Sequence, residues 1–252
     1  MLLYRWVGTV LQSRCCDIME GADGSHIVGG RDAPSHSRPY MASLQVGGQH
    51  ICGGALVRED FVVTAAHCRV RGRYTVVLGA DSLTANEPSK QEFRAARLIP
   101  HPQYDPRRLR NDIMLIQLNN RARLTEEVQL IPLKADRVTA RSRCLTAGWG
   151  TIDDNNTLPR RLQEVNVTIL STQACRRRWG QASITRAMIC GRGGRAFQGF
   201  CSGDSGGPLV CDGATAGVVS FSGQRCGDPR TPDVYTRISS FREWITTVIN
   251  NS

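Results

Sequence analysis

The stretch Met41-Ala42-Ser43-Leu44-Gln45-Val46, followed at once by Gly47-Gly48, decides how this chain is read. Apolar and polar side chains alternate along it, as in a strand with one face on a core, and the two glycines supply the positive backbone angles of a tight hairpin. Similar short alternating runs recur at 55–64, 74–78, 113–118, 143–147, 164–170, 216–221 and 234–236, with further turn signals at Gly72 and Asp212-Gly213. Many short strands at this spacing predict an all-β fold of sandwich or closed-barrel type. One segment has a helical period: residues 239–249 set Phe241, Trp244, Ile245, Val248 and Ile249 on one face and predict a C-terminal helix. The polar, basic run 134–142 lacks a strand pattern. It predicts a link between two halves of about 110 residues, each able to bury a core with help from cross-links.

The chain has 252 residues, 40% hydrophobic and 21% charged, which excludes disordered and collagen-like classes. No apolar run approaches the roughly 18 residues of a membrane span; the best patch, 6–11, is short. Lys plus Arg number 32 against 22 Asp plus Glu, a formal charge of +10, and only Lys90 and Lys134 are lysines. A surface dominated by guanidinium groups, which bind sulfate, phosphate or carboxylate through paired hydrogen bonds, predicts polyanionic partners.

Ten cysteines without a CxxC pair or zinc-like Cys/His spacing argue for disulfides, hence for an exported protein. The sequons at Asn155 and Asn166 suit export as glycosylation sites; a third, at Asn250, is nearly terminal and a poor acceptor. The leader signal is weak, because Arg5 interrupts a short apolar stretch. Residues 1–26 are expected to be an atypical leader and activation segment carrying Cys15 and Cys16 away, which leaves eight cysteines.

Three segments carry chemistry: Thr64-Ala65-Ala66-His67-Cys68, Asn111-Asp112-Ile113-Met114-Leu115 and Gly203-Asp204-Ser205-Gly206-Gly207-Pro208. Taken singly, each has a plain structural explanation as a packed histidine, a turn acid and a glycine turn. Together they supply a weak nucleophile, a base to deprotonate it and a carboxylate to orient that base. The glycines around Ser205 let successive N–H groups turn toward a developing oxyanion.

In these segments, in Ile27-Val28-Gly29-Gly30 and in Gly148-Trp149-Gly150, the sequence resembles the chymotrypsin-like, trypsin-fold serine proteases from Ile27 to the C-terminus. The resemblance implies two six-stranded antiparallel β-barrels, about 27–135 and 136–252, the second carrying the C-terminal helix, with the site in the cleft between them. It implies His67 as general base and then acid, Asp112 as its orienter, Ser205 as nucleophile, and the amides of Gly203 and Ser205 as the oxyanion hole. It implies Ser220 behind Asp112, and disulfides Cys52–Cys68, Cys144–Cys211, Cys175–Cys190 and Cys201–Cys226. Ile27 becomes the mature N-terminus, its ammonium pairing with Asp204. His26 before the cut does not suit a trypsin-like activator; a Ser25-His26 dipeptide removed by a dipeptidyl peptidase is expected instead.

The pocket departs from a plain trypsin. Gly199 stands where trypsins carry Asp, and Phe200 fills the floor, which taken alone predicts elastase-like cleavage after small apolar residues. Ser202 at the rim, Ser222 on the wall and Asp233 nearby resemble instead a family member that is arginine-selective despite a shallow pocket. An arginine side chain is then expected to bend upward over Phe200, its guanidinium on the Ser202 and Ser222 hydroxyls and in the field of Asp233, with lysine much poorer for want of the planar fork. Ala80 after Leu78-Gly79, where calcium-binding members have glutamate, argues against calcium; no cofactor or metal is expected. The resemblance also brings serpin-type inhibitors and protein or peptide substrates, and a monomer. Arginine clusters at 69–73, 107–110, 121–123, 160–161 and 176–178 favour sulfated glycosaminoglycan and granule storage over specific nucleic-acid binding. The competing class is an inactive, cationic, heparin-binding antimicrobial protein, which the retained His67, Asp112 and Ser205 disfavour.

Overall fold

The computed structural model describes residues 27–153, 155–180 and 184–252. The expected leader, the Ser25-His26 dipeptide, Cys15 and Cys16 lie outside the described residues.

After a two-residue strand β1 (Arg31–Asp32), the first half contributes β2 (Met41–Val46), β3 (Gln49–Arg58), β4 (Phe61–Thr64), β5 (Tyr74–Leu78), β6 (Gln91–Pro100) and β7 (Met114–Leu118). These six close into an antiparallel barrel in the order β2-β3-β4-β7-β6-β5. Gly47 and Gly48 have φ of 60° and 78°, so the β2–β3 hairpin is a kind that glycines enter without strain. The expected strand 55–64 is two strands. The chain reverses at Glu59-Asp60, where Arg58 Nη2 holds the Asp60 carboxylate at 3.0 Å. β6 carries no clear sequence signal because much of it is exposed.

The second half contributes β8 (Arg143–Gly148), β9 (Gln163–Leu170), β10 (Met188–Gly193), β11 (Pro208–Cys211), β12 (Ala214–Phe221) and β13 (Asp233–Arg237). They run β9-β10-β13-β12-β11-β8, and pairing of β8 with β9 closes a second barrel, with β1 added beside β9. The all-β expectation of two six-stranded barrels with a C-terminal helix is therefore met.

Helix α1 (Thr172–Trp179) has no counterpart in the sequence reading: of its side chains only Cys175 is buried, so no apolar period exists to see. Ser171 Oγ caps it by accepting from Ala174 N at 3.2 Å, and the Cys175–Cys190 bridge ties it to β10. Helix α2 (Arg242–Asn250) starts a turn later than expected, after a 3-10 turn at Ile238–Ser240. Its Ile245, with the preceding Phe241, joins the core that contains Leu44, Phe61 and Ile113. The helix thus follows the second barrel in sequence and packs with the first. All four disulfides implied by the resemblance are formed.

Candidate active site

β4 ends at Thr64, and the chain turns through Ala66–Cys68, whose Cys68 is cross-linked to Cys52 on β3. That bridge fixes the turn bearing His67. β4 is paired with β7, Thr64 opposite Met114, so the residues just after one strand meet those just before the other. Asp112 is fully buried there. Its Oδ1 accepts from the His67 backbone amide at 2.9 Å and its Oδ2 meets His67 Nδ1 at 2.7 Å. Two contacts to one residue set both the position and the ring orientation of the imidazole, with Nε2 on the side away from Asp112.

The second barrel completes the clamp. Ser220 Oγ donates to Asp112 Oδ2 at 2.6 Å, and Thr236 Oγ1 donates to the Asp112 carbonyl at 2.8 Å. One bond to the carboxylate and one to the backbone carbonyl hold Asp112 still against the second barrel. Ser220 holds the place the sequence reading gave it; Thr236 was not foreseen, because a threonine in an apolar strand carries no signal of its own.

Ser205 sits half-buried in a chain of tight turns. Asp204 N donates to Cys201 O at 3.0 Å, Gly207 N to Asp204 O at 3.0 Å and Gly206 N to Val219 O at 2.9 Å, while Ser205 O accepts from Gly53 N of the first barrel at 2.7 Å. Among the described residues neither the Gly203 nor the Ser205 amide is spent on a protein acceptor. Gly203, at φ 95°, turns its carbonyl away to accept from His50 Nε2 at 3.0 Å, and His50 Nδ1 meets Ser43 Oγ at 2.8 Å. Burial holds the His50 imidazole below its ordinary pKa. His50 and Ser43 hold the Gly203 carbonyl and were missed; the nearest cue is a histidine two residues before Cys52.

Asp204 is buried and receives the amides of Gly150 at 2.8 Å and Cys201 at 2.9 Å. Removal from water pushes its carboxyl up to about 7, against the pull of those two amides. No cation pairs with it among the described residues. Glu164, equally buried, differs: Arg31 and Arg38 each approach it to 2.7 Å.

The pocket is walled by chain segments in close contact. A Cβ on Gly199 would overlap the Asp233 carboxylate, and one on Gly223 would overlap Thr231 Oγ1, so both positions need glycine. The Cys201–Cys226 bridge ties two walls. Phe200 is buried edge-on against Tyr235, centroids 5.3 Å apart. Asp233 lies beneath, 1% exposed, accepting from Ser222 Oγ at 2.7 Å and Phe200 N at 3.2 Å. Burial pushes its carboxyl up to about 7, against the pull of Ser222. Ser202 is exposed at the rim. Among the described residues the one grouping with metal-like geometry is Cys52, His67 and Cys68, and its two sulfurs form a disulfide, so they are not thiolate ligands.

A family model described as Trypsin matches residues 27–245, so the chain belongs to that family and is a serine endopeptidase. It is 46% identical to human serine protease 57 over 92% of this chain and 84% of that protein. Sheep mast cell protease 3 is 43% identical (88% and 89% covered) and mouse neutrophil elastase 41% (90% and 84%). The solved structure of neuropsin, a serine protease from mouse brain, superposes with TM-score 0.83 at 38% identity, covering 87% of this chain and 98% of that one. No described helix is long and apolar enough to cross a membrane.

Proposed function

We propose that this endopeptidase cleaves after arginine. Ser205 attacks the scissile carbonyl as His67 takes its proton; the oxyanion forms against the Gly203 and Ser205 amides; His67 returns the proton to the leaving amine; and water repeats the sequence on the acyl-enzyme. The observation that carries the arginine reading is the Ser222 Oγ to Asp233 hydrogen bond of 2.7 Å. A hydroxyl that spends its proton on a buried carboxylate presents only lone pairs to the pocket, and lone pairs recognise a guanidinium. Ser202 adds a second hydroxyl at the rim, where a cation stays partly hydrated and escapes most of the desolvation cost. Asp233 acts through Ser222, because it is buried.

Maturation at Ile27 is part of the proposal. Ile27 is fully buried in the second barrel, and Val28 O accepts from Gly199 N at 3.2 Å, which couples the segment to the pocket wall. Cleavage would convert the Ile27 amide to an ammonium and give Asp204 its counter-ion. Secretion with granule storage, glycans on exposed Asn155 and Asn166, serpin-type inhibitors, a monomeric state and binding of sulfated glycosaminoglycan by the +10 surface complete the reading. A peptide library cleaved by protein matured at Ile27, beside a Ser205→Ala control, tests the specificity. Arg is expected to exceed Lys and all small residues; Val or Ala ahead of Arg would establish the elastase-like alternative that Phe200 favours.

A further inference from the structure

On the outer face of the second barrel, β9 lies between β8 and β10. The registers place Thr168 opposite Arg143 on β8 and opposite Arg192 on β10. With strands about 4.8 Å apart, the two arginines flank Thr168 on one face, roughly 10 Å from each other. Asn166, two residues along β9, points the same way and is exposed, as are both arginines. A hollow of about 540 Å³ beside this row is lined by Arg143, Asn166, Thr168 and Arg195, and a second of about 420 Å³ shares Arg143 and Asn166. The acid of the first hollow, Glu164, is taken by Arg31 and Arg38, and that of the second, Asp212, by Lys134. Among the described residues no carboxylate forms an ion pair with Arg143, Arg192 or Arg195. Arg192 and Arg195 are near neighbours in sequence, and the pairing of β8 and β10 with β9 brings Arg143 beside them.

We propose that this face is the docking groove for a sulfated polysaccharide, read by Arg143, Arg192 and Arg195, and that a glycan on Asn166 closes it. The proposal rests on the glycosaminoglycan reading above and gives it a place and a gate. Guanidinium forks suit sulfate oxygens, and two adjoining hollows suit an extended chain. No aromatic side chain lines either hollow apart from Tyr40, so the stacking that single-stranded nucleic acid uses has little purchase. Asn166 and Thr168 are the acceptor and hydroxyl of one sequon, so a glycan there rises from between the arginines.

The experiment is heparin affinity of the full secreted chain, with site occupancy read by mass spectrometry. In the Asn166→Gln background, Arg143→Gln/Arg192→Gln/Arg195→Gln is expected to lower affinity about tenfold, from three exposed ion pairs, with peptide turnover unchanged. The first-barrel set Arg69→Gln/Arg71→Gln/Arg73→Gln, the same change in charge, is expected to do far less. Equal losses would show net charge alone at work and overturn the groove. Failure of the unaltered and Asn166→Gln proteins to bind at all would sink the glycosaminoglycan reading itself. Protein glycosylated at Asn166 should bind more weakly than Asn166→Gln; equal affinity, or an unoccupied Asn166, overturns the gate.

Discussion

The two barrels are built alike and used differently. The first supplies His67 and Asp112 from turns bracing two paired strands, over a core of Leu44, Leu56, Phe61, Val62 and the run Ile113–Ile116. The second supplies Ser205, the unspent Gly203 and Ser205 amides and the pocket from irregular segments resting on buried acids, Asp204 and Asp233, each 1% exposed. Apolar packing holds geometry without reference to charge, whereas a buried carboxylate holds it only while its amide, hydroxyl or cation partners are in place. The half of the site that cleavage can switch is therefore expected in the second barrel.

The hardest way to break the comparison is to show that the barrels act separately in the chemistry. Ser205→Ala and His67→Ala should each lower kcat on a peptide substrate by about 10⁴-fold or more, and the double variant should be hardly worse, since the residues work as one unit.

Next in size is Asp204→Asn. In protein matured at Ile27 it should cost on the order of 100-fold in kcat, as loss of an oxyanion donor does, with the first barrel intact. Before cleavage the acid has its own signature. Its folded pKa of about 7 exceeds the ordinary 3.8, so the folded chain keeps a proton that the unfolded chain releases. Stability of the uncleaved chain should fall as pH rises between those two values and then level off. Asp233, also at about 7, adds to the same slope. Urea midpoints at about pH 5 and pH 8 read it; Asp204→Asn should flatten the slope, and maturation should reduce it.

Smaller is the seam itself. Gly206 has φ 79°, and a Cβ there would overlap Thr64 Oγ1 of the first barrel. Gly206→Ala should cost on the order of 2 kcal/mol of stability, with lost turnover, measured by thermal unfolding and kcat. Smallest is Ile245→Val, which trims the core that α2 shares with the first barrel. About 1 kcal/mol of stability should go, and peptide selectivity should not move.

Legibility followed local pattern and not the division between the barrels. β2, β5 and β7 were readable because their alternation or apolar run sits between turn signals, and His67, Asp112 and Ser205 because each lies in a distinctive local motif. β6 and α1 were hidden, one exposed along much of its length and the other burying a single cysteine. His50, Ser43 and Thr236 were hidden differently. His50 and Thr236 act through hydrogen bonds to Gly203 and Asp112, far along the chain, and Ser43 acts by holding His50; such bonds leave no trace in local spacing.

Strand period, hairpin glycines, the three catalytic side chains and an Arg-rich charge of +10 are properties of short stretches and of composition, so the sequence by itself determined them. Whether Asp233 faces the pocket or lies under Ser222, whether Asp204 has a cation, which barrel receives α2, and that Arg143 and Arg192 flank Thr168 were decided by tertiary structure alone. Desolvation and pairing are sums over neighbours, and here those neighbours come from strands distant in sequence.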